Sequence, residues 1–399
     1  MSELSGRPPG GPGDRGQEIA AFRVKGSPRL SHRVANGDPS SEQAPRGQGR
    51  TPHPLSTRPL LLQEDNPLTN AALSLRDLAR LRASLTQRDI AILTCLEAYR
   101  YLNLHQLELL FFPSSRSAQI RLKQLKDVGL LHRWKVIEPP GITRRPSVFL
   151  LSPRGARVLA ATRSEDPKAL VRQARMAELH CLNVTHDLEA NGFFVDLSLA
   201  SRDVPDEGLS HWVGEAAMRI VFRNGGRRSR TGDSAPASDG WGRYLTPEGE
   251  VIFDLEWDRG TESLQRLGQK IRSYIGYFKN RRDAELHNVL FVLPHPAREE
   301  AVLNRIKREL PIFALSCCRY WVTNRPLLES VGPLAKIWLH ATPPKEPMDD
   351  RGVRWRPPAP GQRLCLAELP GRERRPRDLL ACIGKQGWWH RRPGGPEGA

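Results

Sequence analysis

Acidic and apolar residues alternate along VIFDLEWD, residues 251–258, and an amphipathic helix pattern follows at once. Because successive side chains of a β-strand point to opposite faces, this stretch predicts a strand with one apolar face and one acidic face. At about 3.3 Å per residue, the acidic face gathers three carboxylates within about 13 Å, those of Asp254, Glu256 and Asp258. Such a face must be covered by water or by a cationic group, since a buried unpaired charge is costly.

The helix pattern that follows runs from Thr261, the predicted N-cap, to about Lys279. Its apolar positions recur at helical spacing, at Leu264, Leu267, Ile271, Ile275 and Phe278. Lys270 flanks this apolar stripe. Helical side chains lean toward the helix N-terminus, so Lys270 is predicted to lean toward the end of the strand that carries Glu256 and Asp258.

Carboxylates on a strand with a lysine nearby favour a metal-dependent phosphodiesterase. Oxygen ligands suit Mg²⁺ or Mn²⁺, which would polarise a phosphate and activate a water molecule. The lysine would orient that water or stabilise the developing charge. The candidates for a further acid are Asp239 in SDGWG and Glu215 in HWVGEAAMR. The alternative is an ion-pair network that serves only structure.

Residues 84–162 predict three helices followed by a β-hairpin, and the second helix covers about 104–111. The predicted N-caps of the helices are Thr86, Ser114 or Ser115, and, after the hairpin, Ser152 with Pro153 at the first helical position. This order of elements is typical of a winged helix-turn-helix.

In a winged helix-turn-helix the third helix enters the major groove of DNA. The residues predicted to contact base edges there are Arg116, Gln119 and Lys123. Those predicted to contact phosphates are Lys126 on the same helix and Arg144 and Arg145 on the hairpin loop. The alternative is a winged helix that contacts only protein and has a solvated basic face.

The second half of the chain reads as a mixed α/β domain. One amphipathic connector helix is predicted over about 167–191. Its His180 and His186 do not share a face, so each is predicted to be a hydrogen-bonded helix histidine and not half of a metal pair. The predicted strands cover 193–200, 216–224, 251–257, 287–294, 318–324 and 335–341, with helices over 261–279, 296–310 and 326–331. A long loop is predicted between 224 and 250.

Charge and composition favour a nucleic-acid partner. The net charge is +17, from 61 Lys and Arg against 44 Asp and Glu, and such a surplus favours an anionic partner. The alternative is a solvated, Arg-rich composition of a GC-rich genome. The scattered cysteines have no metal spacing and predict reduced thiols. No segment is apolar enough to span a bilayer, so a cytoplasmic protein without membrane contact is expected.

SDGWGRYL and VIFDLEWDRGTESLQRLGQKIRSYIGYF, with HWVGEAAMR upstream and a winged helix before it, resemble the replication-relaxation family of bacterial plasmids and integrating elements. The resemblance spans about residues 84–340. The second domain also resembles the PD-(D/E)xK nuclease fold. Position by position, the resemblance assigns the family's Pro-Asp-Gly aspartate to Asp239, its Glu-x-Asp pair to Glu256 and Asp258, its helix lysine to Lys270 and the early-helix acid to Glu215. Ser238 replaces the usual proline, and Asp258 stands where the nuclease lysine is expected.

We therefore expect an α/β (α+β) protein in which a winged helix precedes a mixed-sheet, restriction-endonuclease-like domain. The predicted segments are a basic disordered tail at 1–65, the winged helix at 84–162, the connector at 163–191, the nuclease-like domain at 192–342 and a disordered tail at 343–399. The expected partner is double-stranded DNA. The expected cofactor is Mg²⁺ or Mn²⁺ with Asp239, Glu256 and Asp258 as ligands if the protein is a nickase. A non-catalytic regulator, or an adaptor for a relaxase or replication initiator, needs no cofactor. These alternatives and a homodimer stay open.

Overall fold

The structure is a computed structural model, and it describes residues 60–63, 67–69, 73–137, 147–179, 184–215, 238–279, 287–310, 318–341, 358–359 and 361–371. All of them lie in one compact unit, residues 56–399. The fold is mixed α/β. Over these ranges it contains ten α-helices and two β-sheets.

The first part of the described chain combines four helices with a small antiparallel sheet. The helices are α1 (Leu75–Ser84), α2 (Gln87–Tyr99), α3 (Leu104–Phe111) and α4 (Ser115–Asp127). The strands are β1 (Leu60–Gln63), β2 (Leu102–Asn103), β3 (Leu131–Ile137) and β4 (Ser147–Leu151), in the order β1-β3-β4-β2. The three helices and the hairpin strands predicted for this region are present, and α1, β1 and β2 were not predicted.

Local side-chain chemistry fixes where these helices begin. Thr86 and Asp89 form a capping box at the start of α2, and Ser114 accepts a hydrogen bond from the Ser117 amide at the start of α4. Such caps satisfy amides that have no partner within the helix. The predicted N-caps at Thr86 and Ser114 are therefore confirmed. Gly129 takes a positive φ of 78° just after α4, a conformation that glycine adopts most readily.

A buried ion pair attaches α4 to α2. The carboxylate of Asp89 is fully buried and accepts a hydrogen bond from Nε of Arg121 at 2.8 Å. Burial acts to raise the pKa of Asp89, but the bonds from Arg121 and Thr86 outweigh it and hold the pKa below its usual value. The pair sets the rotation of α4, whose apolar side chains Ala118, Leu122 and Leu125 face the core.

Three further helices lead to the second sheet: α5 (Pro153–Arg163), α6 (Pro167–Leu179) and α7 (Val184–Ala200). Ser152 caps α5 as predicted. The single connector helix over 167–191 and the strand over 193–200 are wrong, because two helices cover most of this stretch and α7 continues through FFVDLSLA. Phe193, Phe194, Val195 and Leu197 are all buried. A helix buried on most sides carries the same dense apolar run as a strand, so the pattern does not separate the two.

The large sheet has seven strands in the order β11-β10-β9-β8-β7-β6-β5. They are β5 (Gly208–Gly214), β6 (Gly240–Leu245), β7 (Glu250–Trp257), β8 (His287–Leu293), β9 (Cys318–Asn324), β10 (Trp338–His340) and β11 (Arg363–Leu364). The pairs β7–β8 and β8–β9 are parallel, and the others are antiparallel.

Helices cover both faces of this sheet. The second set consists of α8 (Leu264–Lys279), α9 (Pro296–Glu309) and α10 (Arg325–Val331). One hydrophobic cluster joins α2–α5 to α7 and to Phe253 and Leu255 of β7. A second joins α8 and α9 to the opposite face of β8 and β9. Because one cluster runs from α2 to β7, the helical part and the large sheet share a core.

Several elements differ from the predictions. Strands β5 and β6 were not predicted, and β6 lies inside the predicted loop over 224–250. A Cβ atom at Gly240 would lie 2.4 Å from the ring of Phe194, and one at Gly242 would lie 2.3 Å from the ring of Phe253. The glycines that suggested a loop are therefore needed for close packing. The predicted strand at 216–224 lies outside the described residues.

The predicted ends of the folded region also need correction. Residues 60–63 of the predicted N-terminal tail pair with β3 as β1. In the predicted C-terminal tail, Arg363–Leu364 adds β11 to the sheet, and Leu366 and Leu369 are buried in the core. Composition alone misassigned these short segments because their partners lie far away in sequence. Helix α8 begins at Leu264, where Ser263 accepts a bond from the Arg266 amide, and not after a cap at Thr261.

Across the described ranges, every helix is too short or too polar to cross a membrane.

Candidate functional site

Strand β7 carries its acidic residues toward α8, as the alternation predicted. Phe253 and Leu255 belong to the core on the α7 side, whereas Glu256 contacts Lys270 and Tyr274 of α8. The face is not solvated, since Asp254 and Glu256 are 1% and 2% exposed. Protein cations cover the ends of this face, and Asp254 lies deepest.

Glu256 sits in a buried network with Lys270 and Tyr274. One carboxylate oxygen of Glu256 forms an ion pair with Nζ of Lys270, and the other accepts the hydroxyl of Tyr274. Burial raises the pKa of Glu256 to about 8, although Lys270 offsets part of the rise. Burial acts to lower the pKa of Lys270, but the charges of Asp239 and Glu256 raise it well above its ordinary value. Lys270 therefore stays cationic at neutral pH.

Asp239 joins this network from the start of β6. Its backbone amide bonds to the carbonyl of Leu255 at 3.0 Å, and its Oδ2 accepts from the amide of Trp257 at 2.7 Å. Burial acts to raise the pKa of Asp239, but Lys270 and His186 outweigh it and hold the pKa below its usual value. Asp239, Glu256 and Lys270, from three separate elements, thus influence one another directly.

His186 on α7 reaches the same point. Its Nε2 lies 2.9 Å from the carbonyl oxygen of Trp257 and 3.4 Å from Oδ2 of Asp239. Burial acts to lower the pKa of His186, but contacts with Asp187 and Asp239 raise it to about 11. The prediction that His186 is a hydrogen-bonded helix histidine is confirmed, and His180 lies outside the described residues.

Asp258 is held apart from the other acids. Its Oδ1 accepts from the amide of Gly260 at 2.7 Å, and its Oδ2 accepts from Nε of Arg298 at 2.7 Å. Strand β7 ends at Trp257, so the alternation that placed Asp258 beside Glu256 no longer applies. The structure pairs Asp258 with Arg298 of α9, so it does not bring Asp258 together with Asp239 and Glu256.

A small cleft lies beside Asp239. It encloses about 10 Å³, enough for one water molecule or ion. Its polar lining comes from Arg100, Asp187, Asn191, Glu215 and Asp239. Glu215 directly follows β5 and is itself helical, but it does not lie on the helix that precedes the strands. The acid that this helix, α7, places in the cleft is Asp187.

Asp187 is the acid that the sequence reasoning missed. It is 9% exposed, its Oδ1 accepts no hydrogen bond and has Nδ1 of His186 at 3.9 Å, and burial raises its pKa. A buried oxygen without a donor is expensive and suits a cation. A signal was available, because Asp187 and Asn191 stand four residues apart in the densely apolar stretch 184–200.

The carboxylate oxygens that line the cleft are of the chemical type that binds a divalent cation. No three acidic, histidine or cysteine side chains of the described chain lie close enough to hold a metal ion as they stand. The cleft nevertheless places Asp187, Glu215 and Asp239 around one small space, and carboxylate oxygens are the ligands that Mg²⁺ and Mn²⁺ prefer. The ligand set predicted from the sequence, Asp239, Glu256 and Asp258, fits less well. Glu256 is paired with Lys270, and Asp258 is paired with Arg298.

The residues predicted to contact DNA lie on the outer face of α4. Arg116, Gln119 and Lys123 are exposed, and Lys123 also pairs with Asp127. Lys126 is half-buried. Arg144 and Arg145 lie outside the described residues. Exposed basic and amide side chains on one helix face are available to a partner, and the Asp89–Arg121 pair keeps that face turned outward.

Asp254 leads to a prediction about pH and stability. Burial raises its pKa to about 7, and its Oδ1 has no hydrogen-bond partner. Since the folded-state pKa exceeds the ordinary value, folding stability is lost as pH rises from about 4 through 7. We expect Asp254→Asn to remove this loss and raise the melting temperature at pH 8. The loss is on the order of 4 kcal/mol, at about 1.4 kcal/mol per pKa unit. Thermal unfolding between pH 4 and 8 measures it, and an unchanged pH profile in the variant would contradict the assignment.

Comparison with known proteins identifies one related family. The sequence model of the replication-relaxation family matches residues 93–293. Searches of curated proteins and of solved structures return no significant match. The matched range runs from α2 to the end of β8 and includes Asp187, Asp239, Glu256 and Lys270.

Proposed function

The chain belongs to the replication-relaxation family, and from that premise we propose that it binds duplex DNA of a plasmid or integrating element and relaxes it by divalent-dependent nicking. The observation that carries this proposal is the meeting of Asp239, Glu256 and Lys270 beside a cleft lined by further carboxylates. Groups from three separate elements have no local reason to converge, and perturbed acids in a cleft are typical of catalytic sites.

The order of elements supports a nuclease-like fold. Helix α7 precedes three antiparallel strands, β5 to β7, which α8 connects to the parallel strand β8. Asp239 stands at the start of the second of these strands and Glu256 near the end of the third. This arrangement agrees with the resemblance to the PD-(D/E)xK fold, with Lys270 supplied by the helix in place of the strand.

In this proposal Asp187, Glu215 and Asp239 hold Mg²⁺ or Mn²⁺. The ion, when bound, would polarise the scissile phosphate and supply an activated water molecule. Lys270 stays cationic and stabilises negative charge that develops on the phosphate. Glu256 and Tyr274 fix the position of the Lys270 ammonium. His186 supplies positive charge next to Asp239. Asp258 positions Arg298 and is outside the ligand set.

DNA docking is proposed to use the three-helix and hairpin unit as a winged helix. Helix α4 presents Arg116, Gln119 and Lys123 outward, which matches a helix that enters the major groove. The net charge of +17 supports an anionic partner.

We expect Arg116→Ala combined with Lys123→Ala to weaken duplex binding by about 10- to 100-fold. The slope of log affinity against log salt should fall by about one for each phosphate contact that is lost. Fluorescence anisotropy with a labelled 30-base-pair duplex measures both. The control is Lys168→Ala with Arg172→Ala, which removes the same charge from the exposed face of α6. Equal weakening by both pairs would show that general charge, and not α4, binds DNA.

A second candidate function has one observation in its favour. Glu256 and Asp258 have protein cations as partners, Lys270 and Arg298. Such saturation suits a nuclease-like fold that serves only as a DNA-binding adaptor for a relaxase or replication initiator. This candidate predicts duplex binding without strand cleavage.

Plasmid relaxation separates the two candidates. Purified full-length protein is incubated with supercoiled plasmid in Mg²⁺, Mn²⁺ or EDTA, and the products are resolved on an agarose gel. Conversion to open circles only with a divalent ion supports nicking. Duplex binding without conversion in any metal supports the adaptor.

A further inference from the structure

Arg100 occupies a strained turn at the end of α2. Its φ of 67° and ψ of −58° lie outside the regions that residues with a side chain normally adopt. The amide of Tyr101 donates to the carbonyl of Tyr99 at 2.7 Å, so the three residues form a γ-turn with a positive central φ. This turn is rare and strained, even more so for a residue other than glycine. Strain of this kind persists where the surroundings impose it and is concentrated at functional sites.

The surroundings of the turn explain how it is imposed. Tyr99 and Tyr101 are both buried, and their hydroxyls donate to the carbonyls of Trp212 and Ala177. Asn191 of α7 donates from Nδ2 to the carbonyls of both tyrosines, at 3.2 and 3.0 Å. With the residues on either side anchored in the core, the residue between them is forced outward. That residue is Arg100, and it faces the cleft.

The guanidinium of Arg100 is only partly used within the protein. It lies 3.6 Å from Oδ2 of Asp187 and 5.6 Å from the centre of the Tyr101 ring. The first distance is too long for a hydrogen bond, and Oδ1 of Asp187 accepts no hydrogen bond, with Nδ1 of His186 at 3.9 Å. Arg100 thus retains hydrogen-bond donors while its side chain is 23% exposed. A counter-ion that served only Asp187 would close this distance.

The charges around the cleft indicate which kind of ligand the Arg100 guanidinium binds. Among the described residues that line the cleft, Arg100 supplies the one cation, opposite Asp187, Glu215 and Asp239, and the neighbouring His186 is already paired with Asp187 and Asp239. Three carboxylates repel a phosphate unless positive charge stands nearby. The planar guanidinium matches two phosphate oxygens at once. The cleft is too small for a phosphate group, so the phosphate would lie at its mouth.

We infer that Arg100 binds a DNA backbone phosphate at the mouth of the cleft, next to the acids that hold the divalent ion. This inference rests on the proposed function for its ligand. It also links the two activities, because α2, which Arg100 directly follows, carries Asp89 and so holds α4 in place. DNA bound on α4 and the phosphate at the cleft are then attached to the same helix.

Arg100→Gly separates this role from a structural one. Glycine accepts a positive φ without a Cβ penalty, so we expect this variant to melt at the same temperature as the wild type or a few degrees higher. We expect it to lose about one unit of salt slope in binding a labelled 30-base-pair duplex of arbitrary sequence with Ca²⁺ present. Nicking of supercoiled plasmid in Mg²⁺ should fall about 100-fold or more. Arg100→Lys should keep the salt slope and recover part of the nicking.

The matched control is Arg163→Ala. Arg163 is the last residue of α5 and is 29% exposed. Its Nη2 lies 3.3 Å from Oε2 of Glu97 on α2, the helix that Arg100 follows, yet Arg163 is not part of the cleft lining. It should bind and nick like the wild type. An Arg100→Gly protein with wild-type salt slope and nicking overturns the inference. If the wild type nicks with no metal, the proposed nuclease fails, and the salt slope still decides whether Arg100 contacts phosphate. If Arg100→Gly does not fold, Arg100→Asn, which tolerates a positive φ better than most residues, replaces it, and a wild-type salt slope with wild-type nicking in that variant rejects the inference.

Discussion

Asp239→Asn is expected to reduce divalent-dependent nicking of supercoiled plasmid by about 1,000-fold or more, while duplex binding stays within about twofold of the wild type. Asp239 is the acid whose pKa is held below its usual value, so it is ionised at neutral pH and ready to bind a cation. Asparagine keeps the shape and can still accept the amide of Trp257. It lacks the negative charge that a divalent ion needs.

The control for this change is Asp196→Asn. Asp196 lies on α7 but is exposed and stands away from the cleft lining. Gel quantification of open circles over time gives the rates, and anisotropy gives the affinities. A second readout does not depend on turnover: Asp239→Asn should weaken Mn²⁺ binding in isothermal titration, and Asp196→Asn should not. Wild-type nicking by Asp239→Asn would remove the catalytic role of this network and leave the adaptor function.

Lys270→Met is expected to lower the free energy of unfolding by about 3 to 5 kcal/mol above pH 8. The change leaves Glu256 buried at 2% exposure with only the hydroxyl of Tyr274 as a partner. Without the lysine charge the pKa of Glu256 rises further above about 8. The folded state then retains a proton that the unfolded state releases above its ordinary pKa. The folded wild type holds the same proton up to about pH 8, so both proteins lose stability as pH rises from about 4.5 to 8, and the loss specific to the variant develops as pH rises above about 8.

The neighbouring pair on α8 provides the control. Arg272 forms an ion pair with Glu309, but its side chain is 50% exposed, and exposed pairs contribute at most about 1 kcal/mol. Urea unfolding of Lys270→Met and Arg272→Met should therefore give very different losses. Adding Glu256→Leu to Lys270→Met should recover much of the stability, because the unpaired acid is gone. Equal losses for the two single changes would mean that Lys270 is effectively solvated.

Local signals in the sequence were sufficient for most helix boundaries and for the acidic strand. Thr86, Ser114 and Ser152 cap helices through bonds to residues three positions away, so a short window contains the whole cause. The lean of Lys270 toward Glu256 also follows from helix geometry alone. Strand β6 and helix α7 depended on distant partners. Gly240 and Gly242 belong to a strand because Phe194 and Phe253 pack over them, which no window around the glycines reveals.

The candidate site was predictable only in part for the same reason. Asp239, Glu256 and Lys270 meet as the motif suggested. Asp258 does not, because β7 ends one residue earlier and Arg298, forty positions later, holds its carboxylate. Asp187 and Arg100 were missed because they face the cleft through the packing of α7 and α2. Contacts of this kind depend on how separate helices and strands pack against one another. The periodicity within one element does not reveal them.

Residues 361–371 have a consequence for how the chain matures. Nδ2 of Asn288 donates to the carbonyl of Pro370, and Leu366 and Leu369 fill the core beside strands made much earlier. Until a ribosome has released this segment, Asn288 lacks one acceptor and an apolar surface stays open to water. Folding intermediates with open apolar surface attract chaperones and proteases. The docking of residues 361–371 is therefore a step of folding before which the cell can still discard the protein.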